Sequence, residues 1–372
     1  MSHTKDLIEE AFGKVHNYLE SEYKKELDEM SGKDPLLTPR RSKINRIVEK
    51  FGFHGMRLQD FHKISQLAEH GASLLGMGKL SCTETMYEAI QNPDRFDRIY
   101  ELLADEESKK TFDWFIKYRI AFAIIGEIAY DIFTPRITKQ DLESSQKKLQ
   151  KVSDNKYKID NFIFKGTYGE IVATFYFEQY AYKNVKPSSG DVIIDAGACF
   201  GDTALWFSKY IGNGRVYAFE PMEDTFKILK ENIKVNSLEK VIIPVQKRVG
   251  ETESKLKISG YAGSASVAFG GTNGKTIDIT SIDKFVSDNK IEHVDFIKMD
   301  IEGAELSALK GSTETIKKFK PKLAICVYHK GKDILEIPEY LISIVPEYNF
   351  YLKHNTDGWA DTVLYCEDKS QL

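Results

Sequence analysis

Apolar residues follow a helical spacing through roughly the first 135 positions of the chain. The first run with this spacing consists of Leu7, Ala11, Val15 and Leu19. The spacing predicts amphipathic helices, because it places the apolar side chains on one face. We expect further helices over about 43–80 and 105–135, the latter ended by Pro135.

A different pattern fills the second half, where short β-branched or aromatic runs alternate with amphipathic segments. The predicted strands are 191–195, 215–220, 241–246, 294–300 and 321–328. The predicted helices between them are 202–210, 222–235, 279–289, 304–319 and 333–345. Nearly continuous apolar strands that alternate with helices are typical of a parallel sheet covered on both faces. Two last strand-like runs, 349–354 and 362–367, are joined by a short loop and should pair antiparallel.

The region between the two patterns is polar and charged over 139–158. We interpret it as a solvated linker or helix face and place a domain boundary near residue 150. The chain of 372 residues is long enough for two domains, a helical one over 1–150 and an α/β one over 151–372. With 42% hydrophobic and 29% charged residues, the composition is that of a globular protein.

Charge and cysteine content exclude several functions. The formal net charge of -4 provides no general basic field for nucleic acid, so we expect no nucleic-acid partner. The four cysteines form no CxxC pair, which argues against a zinc site or a disulfide framework and favours a cytoplasmic location. The longest apolar stretch, 120–125, is too short for a membrane span.

A glycine-containing turn follows the first predicted strand of the second half. The strand ends at Asp195, and the chain turns through Gly197 and Gly201 into a helix. Ligands bind at this end of a strand in open α/β sheets. The dinucleotide fingerprint requires a middle glycine, and Cys199 stands in its place. The next strand ends at Glu220, whose carboxylate can accept hydrogen bonds from both hydroxyls of an adenosine ribose. An ordinary strand-to-helix turn is the alternative interpretation.

Carboxylates also follow the fourth predicted strand, at Asp300, Glu302 and Glu305, and His329 follows the fifth. The carboxyl ends of parallel strands share one edge, so these side chains should approach one another. They can orient a hydroxyl, stabilise positive charge or bind a divalent cation, and the sequence does not choose among these. Because histidine titrates near neutral pH, His329 is a candidate general base. Alternatively, the negative charge of Glu305 has no function beyond stabilising the N-terminus of the following helix.

These stretches together resemble the FkbM family of S-adenosylmethionine-dependent methyltransferases. The matching segments are 192–210, 216–221, 276–286, 294–311 and 361–366, and the string K-x-D-x-E-G-x-E at 298–305 is the most specific. The resemblance implies a class I, Rossmann-like α/β sheet with an antiparallel C-terminal hairpin, preceded by a helical N-terminal domain. It also implies S-adenosyl-L-methionine as cofactor and O-methylation of a hydroxyl on a sugar, a glycan or a secondary metabolite.

Residue by residue, the resemblance assigns a cofactor site and an acceptor site. The expected cofactor-binding residues are Asp195, Gly197, Ala198, Phe200, Gly201, Asp202, Glu220, Pro221 and Arg248. The expected catalytic residues are Asp300, Glu302 and His329. The stretch 247–250 lacks the small and acidic residues usual near the adenine, so we expect backbone groups near Arg248 to contact it. No metal ligand is predicted, although the acceptor-side carboxylates leave a divalent metal open.

The remaining expectations concern partners and alternatives. The partner should be a small-molecule or glycan acceptor, with 251–275 as a candidate lid and the N-terminal helices as a candidate oligomer surface. One alternative is a nucleotide-cofactor oxidoreductase, which would need the missing glycine. Another is a non-catalytic cofactor-binding module, against which the intact acceptor edge argues.

Overall fold

The computed structural model describes residues 2–30, 74–258 and 275–371. Its α-helices are α1 (His3–Met30), α2 (Leu74–Gln91), α3 (Pro93–Leu102), α4 (Glu106–Ile125), α5 (Ala129–Ile132), α6 (Lys139–Gln146), α7 (Tyr168–Ile171), α8 (Asp202–Ile211), α9 (Glu223–Val235), α10 (Ile282–Asp288), α11 (Glu305–Lys310), α12 (Thr313–Phe319) and α13 (Asp333–Ile344). Its strands are β1 (Gln150–Ser153), β2 (Lys156–Ile159), β3 (Phe162–Lys165), β4 (Val192–Ala196), β5 (Arg215–Phe219), β6 (Ile242–Val245), β7 (Arg248–Val249), β8 (Ser254–Ile258), β9 (Lys275–Thr280), β10 (Phe296–Met299), β11 (Lys322–Cys326), β12 (Tyr348–His354) and β13 (Thr362–Asp368).

A seven-stranded sheet with the order β12-β13-β11-β10-β4-β5-β6 forms the centre of the second half. The strands from β11 to β6 are parallel, whereas β13 lies between β11 and β12 and runs antiparallel to both. Both the predicted parallel sheet and the predicted closing hairpin are therefore confirmed. The carboxyl ends of β4, β5, β10 and β11 meet at one edge, which is where the predicted site residues lie.

Two predicted helices differ from the structure. The helix expected over 304–319 is divided into α11 and α12 because Gly311 and Ser312 leave the helical conformation, with ψ of 2° and 13°. Gly311 also packs tightly there: an added Cβ would lie 2.2 Å from the carbonyl oxygen of Gly250. The helix expected to end at Pro135 ends instead at Ile125. Gly126 follows with φ +66°, a left-handed conformation that stops the helix ten residues earlier than the proline would.

The polar segment over 139–158 is folded: it is a helix in its first part, as one of our two interpretations had it, and sheet in its second part, which neither predicted. It contains α6, with Thr138 and Asp141 forming a capping box, and the first two strands of the antiparallel sheet β1-β2-β3. Asn232 of α9 and Asn236, which directly follows this helix, hold the sheet in place. Asn236 accepts from the backbone N–H of Ile163 at 2.8 Å and donates to its carbonyl at 2.7 Å, and Asn232 bonds Lys165 in the same way.

The N-terminal helices pack directly on the hydrophobic side chains of the large sheet. Side chains of α1 and α4, such as Val15 and Phe112, belong to one hydrophobic cluster with Leu364 of β13. Backbone contacts reinforce this packing, since Leu352 of β12 donates to the Ser108 hydroxyl at 2.9 Å. The boundary near residue 150 stays a prediction.

Three expectations involve regions that are partly or wholly outside the described residues. The predicted helix over 43–80 is described only from residue 74 onward, as part of α2. In the candidate lid, 259–274 lie outside the described residues; the flanking parts form β8 and begin β9. Among the described helices, none combines the length and apolar character that a membrane span needs.

Candidate active site

The turn after β4 depends on glycine at two positions. Gly197 has φ +84°, and a Cβ there would lie 1.9 Å from the carbonyl oxygen of Asp300. Gly201 has φ +95° and starts α8. The backbone N–H groups of Gly197 and Ala198 both donate to the carbonyl of Phe219, at 3.0 and 2.9 Å. These contacts hold the turn after β4 against the end of β5.

Asp195 forms a fully buried ion pair beneath this turn. Its Oδ1 lies 3.2 Å from Nζ of Lys298, and the two side chains are 0% and 1% exposed. Thr203 donates to Oδ2 of Asp195 at 2.6 Å, while Lys298 donates to the carbonyl of Gly197 at 2.6 Å. Burial opposes the charge on Lys298, but neighbouring aspartates, first Asp195, outweigh it and raise the pKa. Asp195 therefore supports the turn from below.

A first cavity of about 740 Å³, partly open to solvent, lies above the ends of β4 and β5. Its lining comprises Gly197, Cys199, Phe219, Glu220, Pro221, Met222, Thr225, Lys247, Arg248, Val249, Ile277, Asp300, Ile301 and Glu302. Glu220 accepts from the backbone N–H of Met222 at 2.8 Å, and burial raises its pKa to about 7. Burial lowers the pKa of Arg248. Four predicted cofactor residues, Gly197, Glu220, Pro221 and Arg248, thus line one cavity.

A second cavity of about 760 Å³ adjoins the first. Its lining comprises Gly169, Glu170, Ala173, Thr174, Gln179, Tyr180, Gly197, Cys199, Asp202, Thr203, Lys298, Asp300, Glu302, Tyr328 and Asp361. Gly197, Cys199, Asp300 and Glu302 border both cavities. Asp202 accepts from Thr174 at 2.6 Å, and burial raises its pKa to about 6.

Other predicted residues lie behind the cavity walls. Asp195, Ala198, Phe200, Gly201 and His329 line neither cavity. Ala198 is fully buried and Phe200 almost so. The structure therefore brings all the predicted residues to one edge of the sheet, but only some of them to its open surface.

Asp300 stands at the junction of the two cavities. It accepts hydrogen bonds from the hydroxyls of Tyr180, at 2.8 Å, and Tyr328, at 3.2 Å. Nε2 of His329 lies 3.4 Å from Oδ1 of Asp300. Burial alone would raise the pKa of Asp300, but His329 and Lys298 lower it overall. Asp300 is therefore an ionised, firmly held carboxylate.

His329 lies among three carboxylates. Its Nδ1 is 3.0 Å from Oε1 of Glu305, and its Nε2 is 3.5 Å from Oε2 of Glu302. Burial disfavours the imidazolium, yet the carboxylates, first Glu305, raise the pKa of His329 to about 10. The surrounding carboxylates thus favour the imidazolium form of His329 at neutral pH, and its role as a general base stays a prediction. Glu305 is fully buried and accepts from the backbone N–H of Ile301 at 2.8 Å.

Sequence reasoning missed several polar residues of the second cavity. Glu170 and Tyr180 come from the segment before β4, where no periodic pattern marked them. Asp361 comes from the hairpin loop, and burial raises its pKa to about 7. Burial and the nearby Asp202 raise the pKa of Glu170 to about 8. Only Tyr328 carried a signal, because it directly precedes His329 at the end of β11.

The N-terminal helices hold the loop that carries His329. Ser81 of α2 and Arg119 of α4 both donate to the carbonyl of Tyr328, each at 2.8 Å. The backbone N–H of Gly331 donates to Glu84 at 2.6 Å. The helical half therefore forms the support behind the acidic edge of the cavity.

These features define the fold of a class I methyltransferase. The sheet order, the antiparallel strand β13, the glycine turn after β4 and the acidic residue after β5 all belong to it. A crystal structure of an FkbM methyltransferase from Methylobacillus flagellatus KT shares this fold with a TM-score of 0.53 at 24% identity. The match covers 77% of this chain and 62% of that one.

A sequence model of one protein family matches the region that contains these features. Residues 195–352 match the sequence model of the Methyltransferase FkbM domain. This match confirms the resemblance to the FkbM family over that part of the chain.

Two curated relatives share part of this domain. The hexuronic acid methyltransferase AglP of Haloferax volcanii is 28% identical over 41% of this chain and 61% of its own length. The methyltransferase sdnD of Sordaria araneosa is 22% identical over 37% of this chain and 66% of its own length. The matched part thus spans slightly less than two thirds of either relative.

Proposed function

We propose that the protein is an S-adenosyl-L-methionine-dependent O-methyltransferase that acts on a hydroxyl of a sugar, a glycan or a secondary metabolite. The observation that carries this proposal is the junction of two cavities at Asp300 and Glu302. One cavity has the residues for a cofactor and the other the room for an acceptor. Methyl transfer requires the two reactants to be adjacent and aligned, which such a junction provides.

The residues of the first cavity fit the cofactor. Gly197 leaves the turn open where a Cβ would collide, so a ligand can approach the backbone. Glu220 uses one oxygen for Met222, and a carboxylate has further acceptor sites for ribose hydroxyls. We assign the adenine to the region of Arg248. When bound, the cofactor supplies an electrophilic methyl group. The Asp195–Lys298 pair keeps the turn in place from below.

On the acceptor side, we assign proton uptake to Glu302. It lines both cavities, its side chain is 43% exposed, and burial raises its pKa. Asp300, held by two tyrosine hydroxyls, orients the acceptor hydroxyl. The acceptor oxygen would bond to the methyl carbon as the bond between that carbon and the sulfonium sulfur breaks, which would leave S-adenosylhomocysteine, and the hydroxyl proton would pass to Glu302. His329 holds both carboxylates in place by charge.

The sugar acceptor draws support from the relative named as a hexuronic acid methyltransferase. A cytoplasmic location is consistent with the four cysteines, all of which are free. The oxidoreductase alternative lacks support, because Cys199 occupies the place of the required glycine with φ 46°. The oligomer surface on the N-terminal helices stays a prediction.

Calorimetry separates the alternatives. We expect S-adenosylhomocysteine to bind and NAD not to bind. Incubation with radiolabelled cofactor and a lysate of the producing cell should then label a compound whose methyl group resists base as an ether does. Binding of NAD in preference to S-adenosylhomocysteine would overturn the proposal. Cofactor binding with no labelled product in any fraction would favour the non-catalytic module.

The variant Glu220→Gln tests the cofactor site directly. Gln keeps the shape but loses the charge that accepts the ribose hydroxyls, and a hydrogen bond to a charged group contributes about 1.5–3 kcal/mol. We therefore expect the affinity for S-adenosylhomocysteine to fall about tenfold to a hundredfold. Glu239→Gln, at an exposed carboxylate near the opposite edge of the sheet, is the matched control and should bind normally.

A further inference from the structure

Three side chains at the acceptor edge, of which Glu305 is fully buried, converge on one point. Asp300, Glu305 and His329 each offer one donor atom, and these atoms lie within 4.8 Å of one another. They come from different elements: the end of β10, the start of α11 and the loop after β11. The sheet and the first turn of α11 thus fix three donors around a common centre.

We propose that Asp300, Glu305 and His329 form a binding site for a divalent transition-metal ion of the Mn²⁺ class. Donors at opposite positions around such an ion are separated by about twice the bond length, roughly 4–5 Å. The observed separations fit that limit without a change of backbone. Binding requires the imidazole to release its proton, and the ion replaces that positive charge.

Unsatisfied buried atoms support a ligand at this point. Both ring nitrogens of His329 and Oε2 of Glu305 are buried and make no hydrogen bond. Their side chains are only 6% and 0% exposed, so water does not reach them freely. The nitrogens lie at ion-pair distances from carboxylates but outside hydrogen-bond geometry. Buried polar atoms almost always have partners, and an ion is one of the explanations for exceptions.

The supporting contacts are those that metal ligands usually have. Glu305 is oriented by the backbone N–H of Ile301 and Asp300 by Tyr180. One imidazole among carboxylates favours Mn²⁺, Fe²⁺ or Zn²⁺ over Ca²⁺ and Mg²⁺, which prefer oxygen ligands alone.

The position gives the ion a role in catalysis, and this part of the inference rests on the proposed function. Asp300 borders both cavities, so an ion bound to it adjoins the place assigned to the acceptor hydroxyl. A divalent ion there would lower the pKa of that hydroxyl and favour transfer of its proton to Glu302.

Metal binding can be tested without any acceptor. The full chain is stripped with EDTA, dialysed and titrated with Mn²⁺, with free Mn²⁺ followed by electron paramagnetic resonance. We expect one saturable site per chain in the micromolar range, and weaker binding of Mg²⁺ by at least about tenfold. His329→Gln and Asp300→Asn should each weaken Mn²⁺ binding at least about tenfold, and Glu239→Gln should not.

Two further measurements keep the test decisive. Bound Mn²⁺ should broaden the imidazole NMR signals that His329→Gln removes, ahead of those of the other histidines. Binding of S-adenosylhomocysteine, measured on each variant, shows that it is folded and tests the cofactor site separately. An absence of saturable Mn²⁺ binding in a chain that binds S-adenosylhomocysteine would overturn the metal site alone. Unchanged Mn²⁺ affinity in both ligand variants would overturn it equally.

Discussion

Gly197 shows how a single residue sets the shape of the first cavity. It takes a left-handed conformation, and its α-carbon approaches the backbone of Asp300 so closely that no side chain fits. The same residue borders both cavities. Its small size therefore serves the turn, the contact between β4 and β10, and access to both cavities.

Replacement of Gly197 with Ala should destabilise the protein. The left-handed conformation alone costs about 1–2 kcal/mol for a residue with a Cβ, and the collision with Asp300 adds to it. We expect a loss of more than about 2 kcal/mol in urea unfolding. Gly13→Ala is the matched control: Gly13 lies within α1, and an added Cβ meets nothing within 4 Å. That variant should gain about 0.5–1 kcal/mol, and equal effects of the two changes would contradict the argument.

At this scale the sequence predicts position better than orientation. Asp300, Glu302 and His329 converge as expected, because residues that follow parallel strands must meet at one edge. The sequence did not reveal that Asp195 points down to Lys298 and lines neither cavity. The direction in which a side chain points depends on its partner on the neighbouring strand, and no local sequence pattern encodes that partner.

At the scale of elements, apolar runs locate the buried strands within about two residues. The sheet β1-β2-β3 was not predicted, because its outer positions are polar and its strands have only four residues each. Its stability comes from packing of Ile159 and Phe164 and from Asn232 and Asn236 at the end of α9, which are remote in sequence. Short strands that depend on distant partners carry no periodic signal of their own.

The start of α13 should make stability depend on pH. Asp333 is buried there and accepts from the backbone N–H of Lys330 at 2.8 Å. Burial, with Glu305 nearby, raises its pKa to about 7 from the ordinary 3.8. The folded state thus holds a proton that the unfolded state releases, so stability is complete below about pH 4 and is lost as the pH rises towards 7.

The variant Asp333→Asn removes this titration. Between pH 4 and 7 the wild type should lose up to about 4 kcal/mol more stability than the variant does, as measured by urea unfolding at several pH values. Identical pH profiles for the two proteins would show that Asp333 does not take up a proton on folding. The side-chain amide oxygen of the variant can still accept a hydrogen bond from the backbone N–H of Lys330, so the start of the helix is preserved.

At the scale of the whole molecule, the helical half shares its core with the sheet. Val15, Phe112 and Leu364 lie in one hydrophobic cluster, and Arg119 reaches the carbonyl of Tyr328. Removal of the helices would expose β12 and leave the loop of His329 without its support. We interpret the two halves as one cooperative unit, although the sequence patterns divide near residue 150.

A fragment of residues 151–372 should therefore fail to fold stably. We expect it to lack a cooperative thermal transition in circular dichroism and to lose binding of S-adenosylhomocysteine. Coexpression with residues 1–150 is the control and should restore both properties. A fragment that melts cooperatively and binds the ligand on its own would instead make the second half an independent domain.

The wall shared by the cavities has a thermodynamic consequence. Because Gly197, Cys199, Asp300 and Glu302 contact both spaces, an occupant of one alters the surface and the charge that the other presents. Binding of donor and acceptor is therefore linked, and each must change the affinity for the other by the same factor. If the cavities hold donor and acceptor as proposed, a bound acceptor should change the affinity for S-adenosylhomocysteine, the demethylated cofactor, by the factor by which S-adenosylhomocysteine changes the affinity for the acceptor.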